Sequence, residues 1–397
     1  MATPQPEAVV TAAPVPAYDR QDREMMALAL RLARRGWYTT RPNPRVGCVI
    51  ARDGEVVGAG WHERAGGPHA EAAALAQAGA SARGAVAYVT LEPCCHHGRT
   101  PPCTEALIAA GVRRVVAAMT DPNPRVTGAG IRRLCGAGVE VEGGLMGAEA
   151  EALNPGFIMR HRSGRPYVRA KLALTLDGRT AAADGCSQWI TGAAARRDVQ
   201  RLRAQSCAIV TGIGTVLADD PRLTLRPDEL DLGELARHVD PASIPRPLRI
   251  VVDSHGRMPA GARLLAVPGP VLIATADAPG PRGAESSGDS IEYDRFPGPG
   301  GRVDLRALLA GLAQRQVNEV LLEAGATLSG AMLQAGLIDE MVLYIAPKLL
   351  GDRGRALFDL QDALTLAQAV PLVITDARAV GDDWRITARP HPSAGGA

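Results

Sequence analysis

The sequence predicts an α/β protein of two domains, and three observations carry that expectation. At 397 residues the chain is longer than the ~100–200 residues of one ordinary domain. Its first part reads as a β-hairpin followed by repeated helix–strand units, the pattern of a mixed sheet covered by helices. Near Tyr167 the pattern starts again, with a strand that alternates two kinds of residue. The expected division is a tail at 1–20, a first domain at 21–150, a connector at 151–166, a second domain at 167–390 and a short tail at 391–397.

In the first domain, Asp22 to Arg35 has helical spacing, with Met25, Leu28, Leu30 and Leu32 on its apolar side. Pro42-Asn43-Pro44 is a rigid turn. Val46–Ala51 and Val56–Gly60 flank Asp53-Gly54, a strong hairpin signal. Ala70–Ala80 is an alanine-rich helix with His69 and Glu71 at its first turn, and Ala85–Thr90 is a strand. Pro101-Pro102 suits a helix start, which puts Cys103 in the first turn that follows. Val112–Ala118, Ile131–Ala137 and Val139–Val141 continue as strand, helix and strand. Leu153–Gly164 reads as the connector. Cys48 and Cys135 fall within a strand and a helix and are expected in the core.

In the second domain, Val168, Ala170, Leu172, Leu174 and Leu176 alternate with Arg169, Lys171, Ala173 and Thr175, giving a strand with two faces. Asp177-Gly178 ends it, with Asp177 as a turn former. Lys171 stands on the small-residue face, where it either reaches a phosphate or hydroxyl or is simply solvated. Arg196, Arg197, Arg201 and Arg203 lie on the next helix, and taken alone such a run is a solvated face. Cys207–Gly212, Leu248–Asp253, Val271–Thr275, Val320–Glu323 and Met341–Ala346 are strands, and Leu305–Arg315 and Ala331–Ala335 helices. A stretch near Trp384–Ala388 completes the layout. Gly212-Ile213-Gly214-Thr215-Val216-Leu217 lacks the third glycine of a dinucleotide fingerprint, so a Rossmann domain is not indicated. Gly325-Ala326-Thr327-Leu328-Ser329-Gly330 follows a strand and opens a helix. It lacks a P-loop lysine, yet its helix N-terminus suits a phosphate or pyrophosphate.

Composition excludes several function classes. Forty-four Lys+Arg against 42 Asp+Glu, with 3% aromatics, leaves neither the basic surface nor the stacking platforms of a nucleic-acid binder. No run approaches the ~18 apolar residues of a membrane span. Seven irregularly spaced cysteines do not form a disulfide framework and fit a reducing cytoplasm. The first twenty residues, rich in Ala and Pro, read as a disordered tail rather than a signal peptide.

The chemistry concentrates in residues 69–103. His69-Ala70-Glu71 is followed by Pro93-Cys94-Cys95-His96-His97-Gly98-Arg99-Thr100-Pro101-Pro102-Cys103. One His and two Cys form a three-ligand zinc site with an open fourth position, the catalytic pattern. Placement of His69, Glu71 and Cys103 at helix N-termini favours thiolate over thiol. Zinc would pull the pKa of a bound water towards ~7, and Glu71 could shuttle its proton to departing ammonia. His-x-Glu with Pro-Cys is the general signature of zinc deaminases. The spacing from Cys94 to Cys103 is longer than Cys-x-x-Cys, so Cys95, His96 and His97 are rival ligands ranked below those two. Two other readings stay open: a nucleoside or nucleic-acid base deaminase with an accessory domain, and a zinc-stabilised scaffold closed by a fourth ligand such as His97.

With Leu91-Glu92-Pro93-Cys94, Gly98-Arg99-Thr100-Pro101-Pro102-Cys103 and Asp121-Pro122-Asn123-Pro124, the first domain resembles the deaminase half of the bifunctional riboflavin-biosynthesis deaminase/reductases. In that family the long spacing is normal. The resemblance implies a cytidine-deaminase-like three-layer α/β/α fold, with His69, Cys94 and Cys103 as zinc ligands, Glu71 as catalytic glutamate and Asn43 in a substrate-contacting loop. The family usually carries serine or a similar residue where this chain has Cys95.

Lys171–Ala181, Ser187–Thr191, Ala204–Arg226 and Glu323–Gly351 are similar to the reductase half, so the resemblance spans roughly 21–390. It implies a dihydrofolate-reductase-like fold and NADPH as cofactor. Ala173, Trp189, Thr215, Asp219, Ser254 and Gly325, Ala326, Thr327, Leu328, Ser329 and Gly330 would contact NADPH. Lys171, Ser187, Arg203, Leu223, Arg226 and Glu323 would contact the substrate, with Arg203 and Arg226 suited to a ribose 5-phosphate because guanidinium binds phosphate bidentately. The implied substrate is a phosphoribosyl diaminopyrimidinone, deaminated and then reduced. Pro227–Arg246 and Pro279–Gly301 depart from the family as long surface insertions. A homo-oligomer is expected, of unspecified size. Lys171 and Asp177 are the candidates for the general acid of the reduction.

Overall fold

The computed structural model describes residues 18–96, 101–276, 291–360 and 365–391. His97, residues 279–290 and most of both expected tails lie outside these.

The first domain is a three-layer sandwich. Helix α1 (Arg20–Ala33) precedes the hairpin β1 (Gly47–Arg52) and β2 (Glu55–Trp61). There follow α2 (Ala70–Ala78), β3 (Val86–Val89), α3 (Cys103–Ala109), β4 (Arg114–Ala117), α4 (Ala129–Gly136) and β5 (Glu140–Gly143). The sheet order is β2-β1-β3-β4-β5, antiparallel about β1 and parallel from β3 to β5. Alternation along β1 divides the core, because successive side chains point to opposite faces. Val49 and Ala51 join Met26, Ala29 and Leu30 of α1, whereas Cys48 and Ile50 join Ala70, Ala74 and Ala78 of α2. The helices lie close to the strands. A Cβ on Gly47 would sit 2.0 Å from the Ala29 carbonyl, and one on Gly60 2.6 Å from the Ala74 amide.

Two expectations are corrected here. The expected connector is largely helical: α5 (Gly147–Leu153) and α6 (Pro155–Ser163) meet at the non-helical Asn154, with Pro155 in the first turn of α6. Leu153, Phe157 and Ile158 are buried in the same core as α1. Cys135 is exposed, because the inward face of α4 is carried by Gly130 and Leu134.

The second domain is an open nine-stranded sheet. In chain order its elements are β6 (Tyr167–Thr175), β7 (Arg179–Ala181), α7 (Ala193–Gln205), β8 (Ala208–Gly212), α8 (Ile213–Asp219), β9 (Leu248–Val252), β10 (Val271–Thr275) and β11 (Ile291–Arg295). Then come α9 (Leu305–Gln314), β12 (Glu319–Leu322), α10 (Ala326–Gln334), β13 (Glu340–Ala346), β14 (Arg355–Ala356), β15 (Leu372–Val380) and β16 (Asp383–Pro390). The order is β11-β10-β9-β8-β12-β6-β13-β16-β15, parallel as far as β13 and antiparallel beyond. Parallel strands buried on both faces read as apolar runs. Ala208 and Val210 of β8 face one layer, and Ile209 faces the other with α7. The expected insertion at 279–301 contains β11, an edge strand of this sheet.

The insertion at 227–246 is an interdomain wedge. Leu230, Leu232, Val239 and Ile244 are buried with Ala204 against Tyr38 of the first domain. Trp37 Nε1 donates to Gln205 Oε1 at 2.9 Å, and the ring of His238 meets that of Trp61 edge-on at 5.7 Å.

Candidate functional site

Helix α2 starts where the first site needs it. His69 is the residue just before its first turn, in extended conformation, and Glu71 follows inside that turn, almost fully buried. Cys94 comes from the loop after β3, and Cys103 opens α3. The Cys103 amide donates to Cys94 Sγ at 3.4 Å and the Thr104 amide to the Cys94 carbonyl at 3.2 Å, so the start of α3 fixes both thiols.

The metal-ligating atoms of His69, Cys94 and Cys103 lie within 4.8 Å of one another, the one such cluster among the described residues. His69 Nδ1 is 3.3 Å from Cys103 Sγ and 3.5 Å from Cys94 Sγ. Tetrahedral zinc with Zn–N of about 2.05 Å and Zn–S of about 2.3 Å places such atoms about 3.6 Å apart, so the donor set fits the metal in type and spacing. Cys95 is half-buried and His96 exposed, and neither joins the cluster.

Electrostatics agree with that geometry. The Cys103 thiol hydrogen-bonds Cys94 and stabilises its thiolate, pulling Cys94 down to about 4. The same contact, with burial, pushes Cys103 up. Burial, reinforced by the negative Cys94, raises Glu71 to about 7. A carboxylate tuned to neutral pH is suited to taking and returning a proton.

The roles of two supporting residues were not read from sequence, where Glu92 stood only within the Leu91–Cys94 motif and His62 was not singled out. Glu92 is buried and accepts from the amides of Asp121, Gly128, Gly130 and Ile131, at 3.2, 3.0, 3.0 and 3.2 Å. It therefore ties the cysteine loop to the start of α4. A charged residue two positions before a ligand was the available signal. His62, also buried, meets the Pro68 carbonyl at 2.9 Å through Nδ1 and Asn43 Nδ2 at 3.0 Å through Nε2. With Nδ1 protonated towards Pro68, Nε2 accepts from the Asn43 amide and turns its Oδ1 away.

The second site is a cleft of ≈ 1420 Å³ along the second domain's sheet. It brings together Lys171, Ala173, Ser187, Trp189, Arg203, Thr215, Asp219, Leu223, Arg226, Ser254 and Glu323, with Gly325, Ala326, Thr327 and Leu328 at the start of α10. Ser329 and Gly330 do not line it. Ser329 is fully buried with its hydroxyl on the Ala324 carbonyl, and Gly330 packs against the Asp359 backbone. Thr215 Oγ1 accepts from the Gly325 amide at 3.2 Å, and no side chain caps the helix behind it. The next amides are thus available to the phosphates of a dinucleotide, so the cleft fits NADPH in size and donors.

Arg203 is not an open phosphate clamp. Its Nε and Nη2 pair with both Glu323 oxygens at 2.7 and 2.9 Å, and Nη1 donates to the Thr224 carbonyl at 2.8 Å. Burial opposes the charge on Glu323, but the Arg203 guanidinium holds its carboxyl below the usual range. Arg226, half exposed and paired with Glu229 at 2.9 Å, is the freer of the two. Burial lowers the Lys171 ammonium from its ordinary value, with Glu323 opposing. Asp177 is a turn residue, as expected: it accepts from the Leu350 and Gly351 amides at 3.0 and 2.7 Å and is absent from the cleft lining.

Residues 19–119 match the family described as cytidine and deoxycytidylate deaminase zinc-binding region, and residues 166–386 the RibD C-terminal domain. The chain is 53% identical to riboflavin biosynthesis protein RibD of Escherichia coli, over 91% of this chain and 98% of that one. It is 46% identical to RibD of Haemophilus influenzae, over 94% and 98%. Among solved structures, RibD of Acinetobacter baumannii superposes with a TM-score of 0.85 at 46% identity, covering 94% of this chain and 99% of that one. A diaminohydroxyphosphoribosylaminopyrimidine deaminase/5-amino-6-(5-phosphoribosylamino)uracil reductase of Thermotoga maritima gives 0.79 at 30% identity, covering 94% and 99%.

Proposed function

We propose, from the premise that this chain belongs to the RibD family of riboflavin biosynthesis proteins, a division of two successive reactions between its domains. The protein is a bifunctional enzyme with zinc and NADPH as cofactors. Its N-terminal domain hydrolyses the 2-amino group from 2,5-diamino-6-(5-phosphoribosylamino)pyrimidin-4(3H)-one. Its C-terminal domain then reduces the ribosyl group of 5-amino-6-(5-phosphoribosylamino)uracil to ribityl.

His69, Cys94 and Cys103 would hold the zinc, and Ala173, Thr215 and the start of α10 would border the NADPH. When bound, zinc supplies the Lewis acidity that acidifies water, and NADPH supplies the hydride. Glu71 takes a proton from the attacking water. The water oxygen bonds to the ring carbon, the bond from that carbon to nitrogen breaks, and Glu71 returns the proton to the departing ammonia. In the second cleft, Arg226 meets the substrate phosphate, and Arg203 holds Glu323 towards the sugar. Lys171, half-buried and lowered in pKa, supplies the proton that accompanies the hydride. Asn43 contacts the pyrimidine in the first site.

One observation carries the deaminase reading: a buried carboxylate beside three ligand atoms within 4.8 Å of one another. Glu71→Gln keeps the ligands and removes the base. Zinc content should stay at the wild-type level while ammonia release falls about 10²–10⁴-fold, the contribution usual for a positioned general base. The alternative scaffold has no use for Glu71, so unchanged ammonia release would favour it.

The chain acts on a small molecule, and among the described residues no helix is long and apolar enough to cross a membrane. A cytoplasmic location is supported by seven cysteines free of disulfides. A homo-oligomer is supported by the edge strand β15, whose Leu372, Val373 and Ile374 are 44%, 49% and 61% exposed. Such an edge is a template for pairing with a second copy. Ile374→Lys should shift sedimentation towards the monomer, and an unshifted profile would remove this edge from the assembly.

A further inference from the structure

The loop that carries Asn43 is held from the other domain. Arg41 Nη2 donates to the Pro245 carbonyl at 2.6 Å. Asn318 Nδ2 donates to the Pro42 carbonyl at 2.7 Å. Arg45 Nη2 pairs with Glu319 Oε1 at 2.9 Å, and both side chains are 6% exposed. Three anchors from the reductase domain thus bracket Asn43 on both sides. Its own domain supplies the rest: Asn154 clasps the Arg45 backbone, and His62 holds the Asn43 amide.

These anchors are built rather than incidental. Arg45 also donates to the Leu153 carbonyl at 2.6 Å and lies over the Trp37 ring at 4.5 Å. Glu319 continues to Arg169 at 3.3 Å, and Arg169 to Glu340, so the charge pair is embedded in a buried chain. A buried pair of this kind costs desolvation and is weak evidence for stability alone. What it does supply is a fixed geometry. The apolar wedge around Tyr38 already joins the domains, whereas the polar anchors fall on the one loop expected to touch the pyrimidine.

We propose that Asn318 and Glu319 of the reductase domain are positioning residues for deamination, fixing the Arg41–Arg45 loop so that Asn43 meets the substrate. The inference rests on the reading of Asn43 as a substrate contact. Releasing one tether lets a substrate contact drift and costs binding about the worth of a hydrogen bond, and a turn with prolines on both sides of Asn43 carries that drift to its side chain. Glu319 begins β12 and Glu323 follows its end, about 13 Å along the strand. One strand therefore spans from the deaminase loop to the reductase cleft.

The test uses the full-length, zinc-loaded enzyme with Asn318→Ala and Asn318→Asp, and Asn43→Ala as reference. Among the described residues Asn318 Oδ1 has no hydrogen-bond partner, so the hydrogen bond that the alanine variant loses is the one to Pro42. Deamination is followed by ammonia release, and reduction by NADPH oxidation on separately supplied deaminated product. Asn318→Ala should raise the deamination KM about fivefold, the worth of one hydrogen bond. The aspartate, which sets a carboxylate against the Pro42 carbonyl, should raise it further. In both, kcat, zinc content and the reduction should stay within about twofold of wild type. Unchanged KM in both Asn318 variants, with KM raised in Asn43→Ala, would overturn the inference and leave the Asn43 reading standing. Unchanged KM in Asn43→Ala would overturn that reading and the inference with it. Joint loss of zinc, deamination and reduction in the alanine variant would mark Asn318 as structural and overturn it too.

Discussion

A thiol becomes fit to hold a metal through its surroundings, and Cys94, Cys95 and Cys103 show the difference within ten residues. Cys94 receives the Cys103 amide and faces the His69 imidazole, both of which favour its thiolate. Cys95 is next in sequence, yet burial and the negative Cys94 push its thiol up. Cys103→Ser should therefore lose most bound zinc, whereas Cys95→Ala should keep it, as measured by metal analysis of the purified proteins. Equal loss in both would return Cys95 to the ligand set. The His69, Cys94 and Cys103 cluster and Glu71 beside it were legible in sequence because each sits at a helix start or beside a proline, where local rules govern. Glu92 and His62 were not, because their partners at 121–131, 43 and 68 come from separate turns.

Helix α6 shows how an element can be hidden by its role. Its buried apolar side chains, Phe157 and Ile158, are few, and its last turn holds Arg160, His161 and Arg162, so the stretch resembles a linker. Pro155 starts the helix, Phe157 and Ile158 then bury beside Leu153 of α5, and tertiary burial completes what propensity leaves weak. His161 packs edge-on against Phe157 at 4.6 Å. Burial first, then the Arg160 charge, lower it from 6.5 to about 4. The folded chain thus refuses a proton that the unfolded chain accepts. By linkage its contribution is present above pH 6.5 and lost as pH falls through about 4. His161→Gln should flatten the fall of the urea midpoint across that window, and a variant with the wild-type slope would assign it elsewhere. The inner strands β8, β9, β10 and β12 were legible as apolar runs, whereas β11 and β15 at the two edges were not: β11 alternates with charged residues, and seven of the nine residues of β15 are exposed.

At the scale of the molecule, two catalytic domains share a boundary made of an apolar wedge and a buried charge chain. Residues 227–246 looked like a surface insertion because they are rich in Pro, Gly and Asp. Their four buried aliphatics, Leu230, Leu232, Val239 and Ile244, sustain no single helix or strand period, and their burial is completed by the opposite domain. The order of chemistry follows from the two sites: the metal centre makes the product that the NADPH cleft consumes. The most direct measurement places purified protein, the phosphoribosyl diaminopyrimidinone and NADPH in one cuvette, with and without chelator pretreatment, and follows ammonia and NADPH absorbance together. The account predicts metal-dependent ammonia release, with NADPH oxidation following it and abolished by the same chelation unless deaminated product is supplied. Neither signal from folded, zinc-loaded protein, or NADPH oxidation that precedes ammonia release, would contradict it.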